Sequence, residues 1–430
     1  MWDQLPELIL TEIFRHLNSR DRANLGEVCK SWKHAMSSPI LWRSVTVLID
    51  RDLRGELPLA KELAVKYGQY MRRLELAWSR PYVIPRETRF ARNIQSEAGA
   101  DFLNVIRTKD VQLKELILAD WVFSCKWGNR GKLLCAVANF LGYQHNLETL
   151  NLLNANLGVS DVLRILGSAV RASGNRLESL DLRGAFREWQ APHSNPRYLR
   201  LLGRLRALAT LKLDYPALSD SALHALASAV PLALRTLHIS VRDSDSRQHT
   251  IANTAWHELA VACPKLTVSY TIVNISHYED MCYLLLPSVP LGSFQMFSGH
   301  VWDQSRSRNF RSTVGLLIMH YTNTLSEVML QLRNNRELLD DLLVSLLVRC
   351  KQLTQLQYDG VLRSLDTLRD ICELQTASKT CFQRIHVKPR NVSSHNRAIL
   401  DDIGYQYDHK MVQQGVDFCI EDPASVLIFH

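Results

Sequence analysis

No Cys-x-x-Cys pair, no P-loop and no Gly-x-Gly-x-x-Gly occurs in the 430 residues. The nine cysteines are scattered and odd in number, which indicates neither a disulfide framework nor a zinc site. Reduced thiols suit the cytosol or nucleus, where the sequons at Asn274 and Asn391 are chance matches. His257-Glu258 is followed by Val261 and not by the second His that a zinc protease needs. The run from Gly158 through Ser160 to Val162 lacks the closing Gly of a nucleophile elbow. Asp340-Asp341 and Asp401-Asp402 are adjacent on helical stretches, so their carboxylates diverge. The longest uncharged stretch, 281–302, holds Pro287, Pro290, Gly292 and Gly299, which excludes a membrane helix there. Met1 leads almost directly to Pro6 with no basic or apolar run, so no signal peptide is expected. The expectation is a chain with no catalytic residue, metal or cofactor, and no membrane contact.

What is present is globular: 46% apolar and 22% charged residues are enough to build cores, not a disordered chain. The length allows two or three domains or one long repeat array. A formal charge of +8 favours acidic or phosphorylated partners and is compatible with nucleic acid.

The opening residues form the best-defined stretch. Pro6 sits where a first helical turn tolerates it. Behind it Ile9, Leu10, Ile13, Phe14 and Leu17 fall at helical spacing on one apolar stripe. Residues 18–21 break the pattern and offer Ser19 or Asp21 as the cap of a second helix carrying Leu25, Val28, Cys29 and Trp32. Pro39 marks a turn before Leu41-Trp42. A unit this small cannot bury so many large side chains by itself, so a partner or a following domain must cover the remainder.

The order Leu5-Pro6, Ile13-Phe14, Leu17, Asp21, Val28-Cys29, Trp32, Leu41-Trp42 resembles the F-box, with Leu8 and Arg22 as departures where an acid and a Leu are common. The resemblance implies docking onto a Skp-type adaptor, and through it a cullin–RING ubiquitin ligase. It implies that Leu5, Pro6, Ile9, Ile13, Phe14, Leu17, Val28 and Trp32 make the adaptor contact.

From residue 42 onward a signature L-x-x-L-x-L returns, clearest at Leu113/Leu116/Leu118, Leu147/Leu150/Leu152, Leu177/Leu180/Leu182 and Leu208/Leu211/Leu213. Weaker copies include Leu266/Ser269/Thr271 and Leu291/Phe294/Met296. The spacing averages about thirty residues, just above the leucine-rich-repeat range. Amphipathic helices lie between copies, and Cys263 and Cys350 end two of them as core residues. Each unit has one apolar face too small to stand alone, so neighbours must stack. The pattern resembles the leucine-rich repeats found after an F-box, although Ala155, Ala185 and Pro216 stand where Asn or Cys is usual. No asparagine ladder is therefore expected. Residues 208–273 resemble the divergent branch that includes F-box only proteins 33 and 39 and the cryptochrome-directed receptors.

The expected fold is α/β: a helical F-box at 1–44, then an irregular leucine-rich-repeat solenoid at 45–410. Parallel strands would line its concave face with helices outside, in about eleven to twelve repeats, with an insertion near 79–100. Residues 411–430 are expected to cap it, the apolar end Val426-Leu427-Ile428-Phe429 included. Outward strand positions such as Asn151, Asp181, Lys212, His238, Gln357 and His386 are polar and mixed in sign. Loops on repeat arrays often carry binding, which points to Arg80, Arg86, Arg89 and Arg92 in the insertion as substrate contacts. Trp302 and Arg306, near Arg308 and Arg311, form another arginine–aromatic group, and Arg197, Arg200, Arg204 and Arg206 a further basic cluster.

The expected function is substrate recognition in a Skp–cullin–F-box ubiquitin ligase, with an acidic or phosphorylated protein as substrate. Two rivals are a leucine-rich scaffold with no ligase role and a nucleic-acid-binding repeat protein. The second is disfavoured because aromatic residues do not interleave with the basic clusters.

Overall fold

The computed structural model describes residues 5–17, 19–55, 58–79, 89–121, 131–187, 190–229, 233–245, 249–275, 277–298, 309–335, 337–390 and 392–421. The chain divides into two compact units, Met1–Ala217 with Ala225–Leu234, and Leu218–His224 with Arg235–His430.

The first unit opens with α1 (Glu7–Arg15), α2 (Ser19–Leu25), α3 (Lys30–Ala35) and a 3-10 turn at Pro39–Trp42. It continues with β1 (Ser44–Leu48), α4 (Ile49–Asp52), α5 (Leu59–Tyr67), β2 (Arg73–Ala77), α6 (Arg89–Thr108), β3 (Glu115–Ile117) and α7 (Gly131–Leu141). It ends with β4 (Thr149–Asn151), α8 (Val159–Ser173), β5 (Ser179–Asp181), α9 (Pro196–Leu202) and β6 (Thr210–Asp214). Next come α10 (Asp220–Ala227), β7 (Thr236–Arg242), α11 (Asn253–Ala262), β8 (Thr267–Val273), α12 (Tyr278–Leu284) and β9 (Leu291–Ser298). The last elements are α13 (Phe310–His320), β10 (Glu327–Leu332), α14 (Asp340–Arg349), β11 (Gln355–Val361), α15 (Asp366–Thr376), β12 (Arg384–Arg390), α16 (Ser394–Gln413) and β13 (Asp417–Ile420).

Within each unit every strand pairs in parallel with the next in sequence, the arrangement expected of α/β repeats. The signature leucines stack in register: Leu74 beside Leu116, Leu116 beside Leu150, Leu150 beside Leu180, and Leu180 beside Leu211. All five are fully enclosed. Burial of such a side chain is worth roughly 1.5–3 kcal/mol, which is why stacking repeats holds strands as short as three residues. Neighbouring helices form the second layer, α5 through α9 in the first unit and α12 through α16 in the second.

Where the turns after the strands need a left-handed backbone, Asp120 (φ 58°), Asn154 (φ 53°) and Gly184 (φ 60°) supply it. The Asn154 side chain donates to Asp120 at 2.9 Å, and the Asp214 carboxylate accepts the Gly184 N–H at 2.5 Å. These bonds act one position before the enclosed Ala155 and Ala185, where the usual asparagine is missing.

Two expectations are corrected. The helix expected through Cys29 and Trp32 is two: α2 ends at Leu25, and Cys29 is an extended cap whose Sγ accepts the Trp32 N–H at 3.5 Å. In β8 the enclosed residues are Val268, Tyr270 and Ile272, so Ser269 and Thr271 belong to the outward face. A register shift between Val268 and Ser269 accompanies that phase. Within the expected closing segment, residues 417–420 form one more parallel strand on β12. Residues 422–430 lie outside the described set.

Candidate functional site

The apolar stripe of α1 is split between two jobs. Leu10 and Phe14 turn inward and join Ala35, Met36, Leu41, Trp42 and Tyr67 in one buried cluster. Tyr67 comes from α5, so the opening helices complete their core on the first repeat. Trp42 stacks on the Tyr67 ring with centroids 4.3 Å apart and planes 3° from parallel, and its indole N–H donates to the Met36 carbonyl at 2.7 Å. Trp32 is half-buried, edge-on to Phe14 at 5.3 Å.

Leu8, Ile9 and Ile13 remain outside, with Leu8 84% exposed. Val28, in the turn before α3, is 60% exposed, and Ile40 is exposed as well. The residues expected at the adaptor contact therefore separate. Pro6, Ile9, Ile13 and Val28 are exposed, Leu5, Leu17 and Trp32 are half-buried, and Phe14 is enclosed. Phe14 can act on a partner only by holding the outward side chains in place. Polar side chains interleave with the exposed apolar ones: His34 lies 3.5 Å from Glu7, and Glu12 is within 4 Å of both Arg15 (3.6 Å) and His16 (3.8 Å).

Sequence reading missed what Arg22 does. Its side chain is buried and donates from Nε to the Phe14 carbonyl at 3.0 Å, from Nη2 to the Arg15 carbonyl at 2.8 Å, and from Nη1 to the Leu41 carbonyl. Two of these carbonyls end α1, where the helix dipole favours a cation. The third belongs to the Pro39–Trp42 turn. Burial lowers the Arg22 pKa from its ordinary value, and the guanidinium remains charged in proteins. The residue noted as a departure is thus an internal clamp. It also lines an open cleft of about 710 Å³ with Arg15, Leu17, Ile40, Arg43 and Asp52.

The outward strand faces are polar, and much of their charge is neutralised between neighbours. Arg73 reaches Glu115 at 3.2 Å, Lys114 reaches Glu148 at 2.7 Å, and Arg183 holds Asp181 through Nε and Nη2 at 3.0 and 2.6 Å. In the second unit Arg390 binds both Asp359 oxygens, at 2.5 and 2.9 Å. Arg384 (2.8 Å) and His386 (3.1 Å) share Asp417 and hold its carboxyl below the usual range. A small cavity of about 80 Å³ opens there among Gln357, Tyr358, Asp359, His386, Lys388 and Glu421.

Of the expected substrate residues, Arg80, Arg86, Trp302 and Arg306 lie outside the described set. Arg89 and Arg92 stand in the first turns of α6, and their side chains are outside it too. Arg311 of the third basic group is occupied by Asp341, to which it donates twice at 2.7 Å. Asp340 and Asp341 do diverge: Asp340 accepts from the Arg363 and Ser364 N–H groups and from Thr367. Arg197, Arg200, Arg204 and Arg206 are exposed along α9 and the turn after it.

The F-box-like family model matches residues 2–47, the span that holds α1, α2, α3 and the Pro39–Trp42 turn. Beyond it, F-box/LRR-repeat protein 8 of Homo sapiens is 27% identical over 296 residues, covering 68% of this chain and 74% of the relative. Over most of its length the chain is similar to F-box/LRR-repeat proteins, with an F-box at its N-terminus. Its Bos taurus protein 8 relative is 26% identical over 84% of the chain and 90% of that protein. F-box/LRR-repeat protein 21 of Mus musculus is 21% identical over 62% of the chain and 58% of its own length. The likeness supported over most of the chain is to F-box/LRR-repeat protein 8. The described chain is an N-terminal helical F-box followed by strand–helix repeats, as expected. Among the described residues no helix is long and apolar enough to cross a membrane.

Proposed function

We propose that this chain is a substrate receptor of a Skp–cullin–F-box ubiquitin ligase. One observation carries the reading: the F-box core is already complete around Phe14 and Trp42, yet Leu8, Ile9, Ile13 and Val28 remain in water. Exposed apolar side chains on a domain whose core is closed mark a protein interaction site. The likeness to F-box/LRR-repeat proteins implies a receptor role of this general kind.

In this reading residues 1–44 are the docking module, 45–410 the repeats that hold substrate, and 411–430 the closing segment. Ile9, Ile13 and Val28 enter the adaptor, with Leu5, Pro6, Leu17 and Trp32 at the margin. Phe14 and Arg22 position them. Arg80, Arg86, Arg89, Arg92, Trp302 and Arg306 stand as substrate contacts for an acidic or phosphorylated protein. The chain itself makes no covalent bond. Its repeats hold the captured protein near a ubiquitin-charged enzyme and raise its effective concentration there. The free and buried thiols at Cys263, Cys350 and Cys372 suit a reducing compartment, cytosol or nucleus.

The test is co-purification of the full chain with a Skp-type adaptor and its cullin. Ile9→Asp with Ile13→Asp is expected to abolish recovery of both without unfolding the chain. Full recovery of adaptor by that variant would overturn the reading.

A further inference from the structure

A second exposed apolar feature belongs to the repeats of the second unit. The penultimate residue of five helices is a large apolar side chain left in water. These are Val261 on α11, Tyr283 on α12, Met319 on α13, Val348 on α14 and Val412 on α16, each between 44% and 65% exposed. Each helix leads into the next of a set of parallel strands. The five positions therefore recur along one edge, where the chain turns from helix into strand. On α15 the equivalent residue is Gln375, which is buried and accepts the Phe382 N–H at 3.1 Å.

The turns at this edge hold cations and no acids, while Glu327 and Asp417 open the strands that follow two of them. Lys265, Arg349, Lys351 and Lys379 are exposed in or beside these turns and make no ion pair among the described residues. From the last three residues of each helix to the residue before the next strand, α11 through β13, there is no Asp or Glu. Yet those two types make up 43 of the 430 residues. The corresponding turns of the first unit carry Asp110, Glu148 and Glu178. At the strand starts Arg384 is neutralised by Asp417, and elsewhere in the second unit Arg311 is neutralised by Asp341 and Arg390 by Asp359. Solvation alone would mix the two signs here as it does elsewhere.

We propose that this edge docks an acidic, extended protein segment that carries an apolar residue at every third position. Packed helices lie about 8–10 Å apart, so apolar side chains one repeat apart are spaced by about that distance. A polyproline II chain turns once every three residues and advances about 9 Å, presenting every third side chain on one side. Its backbone is fully solvated and needs no strand to pair with. Carboxylates between the apolar positions meet Lys265, Arg349, Lys351 and Lys379. A bilayer would call for a contiguous apolar plane, whereas these side chains stand singly with a repeat between them. The edge shares no residue with the F-box or with the outward strand positions, so it is a surface for an additional partner or a second segment of substrate.

The probe is a fluorescein-labelled peptide of repeated Leu-Asp-Glu triplets, titrated by anisotropy into the full chain bound to its adaptor. A scrambled peptide of the same composition and phosphatidylserine vesicles are run beside it. The repeat peptide is expected to bind at least about tenfold tighter than the scramble. Arg349→Glu with Lys351→Glu and Lys379→Glu, and separately Met319→Ser with Val348→Ser, are each expected to weaken it about tenfold or more. Adaptor binding and melting temperature stay unchanged, since every substituted side chain is exposed. No binding of the repeat peptide, equal binding of the scramble, or indifference to both variants would overturn the proposal. Vesicle binding lost in the same variants, without peptide binding, would assign the edge to a membrane instead.

Discussion

The Arg22 side chain donates to the Phe14 carbonyl oxygen at 3.0 Å and so ties α2 to the end of α1. The same guanidinium reaches Arg15 and Leu41, joining the end of α1 to the Pro39–Trp42 turn. Removing it takes a donor from each of three carbonyls, of which that of Phe14 also accepts the Leu17 N–H at 3.1 Å. Arg22→Ala is expected to cost about 2–3 kcal/mol, in line with hydrogen bonds from a charged donor. Arg22→Leu, the residue more common in this family, keeps the volume and should cost less. Urea denaturation followed by Trp fluorescence measures both.

Inward and outward residues of α1 should respond differently. Phe14→Ala opens a cavity in the closed cluster and is expected to lower stability by about 3–5 kcal/mol. Ile13→Asp places a charge where the side chain is already in water, and its stability should change by less than about 0.5 kcal/mol. Its loss of adaptor affinity should nevertheless be the larger of the two once each is measured on folded protein. Thermal melts paired with titration calorimetry separate the effects.

The cysteines should sort by burial. Burial pushes the Cys350 thiol up to about 11 and Cys372, aided by nearby Glu373, up to about 12. At pH 8 about one Cys350 in a thousand is thiolate, and the thiolate is the nucleophile. Cys135 and Cys381 are exposed. Timed iodoacetamide labelling with mass spectrometry should find those two modified first, with Cys350 and Cys372 labelled only on unfolding.

The Arg311–Asp341 pair sets a pH dependence. The hydrogen bond from Arg311 holds the Asp341 carboxyl below its ordinary value, so the pair stabilises the chain above about pH 4. That contribution is lost as pH falls through the depressed folded value. Both side chains are well exposed, so it should be no more than about 1 kcal/mol and shrink with salt. Arg311→Ala should return the Asp341 titration, followed by carbon NMR, to the usual carboxylate range.

Much of this fold is legible in the sequence because the repeat writes its leucines at a fixed offset. Leu116, Leu150, Leu180 and Leu211 stand in register where the signature puts them. Reading fails where the pattern admits two phases. Thr267-Val268-Ser269-Tyr270-Thr271-Ile272 alternates whichever face is chosen, and Leu266 suggests the wrong one. Asp417-Phe418-Cys419-Ile420 has no signature leucine, yet it pairs in parallel with Arg384–Val387 of β12. At the F-box, periodicity marks Ile9, Leu10, Ile13 and Phe14 as one stripe but cannot say where the stripe divides between core and surface. That division is set by Trp42 and by Tyr67 from the following repeat. Arg22 was visible only as an unusual residue, since its partners are backbone carbonyls that no side-chain pattern records.

The central claim is that α1 offers its outward side to an adaptor while its inward side closes the core. The most direct measurement is the calorimetric affinity of the full chain for a Skp-type adaptor, wild type against Ile9→Asp with Ile13→Asp. Each apolar side chain lost from a buried interface removes about 1.5–3 kcal/mol, so a fall of at least a hundredfold is expected with an unchanged melting temperature. Equal affinity for the two proteins would contradict it.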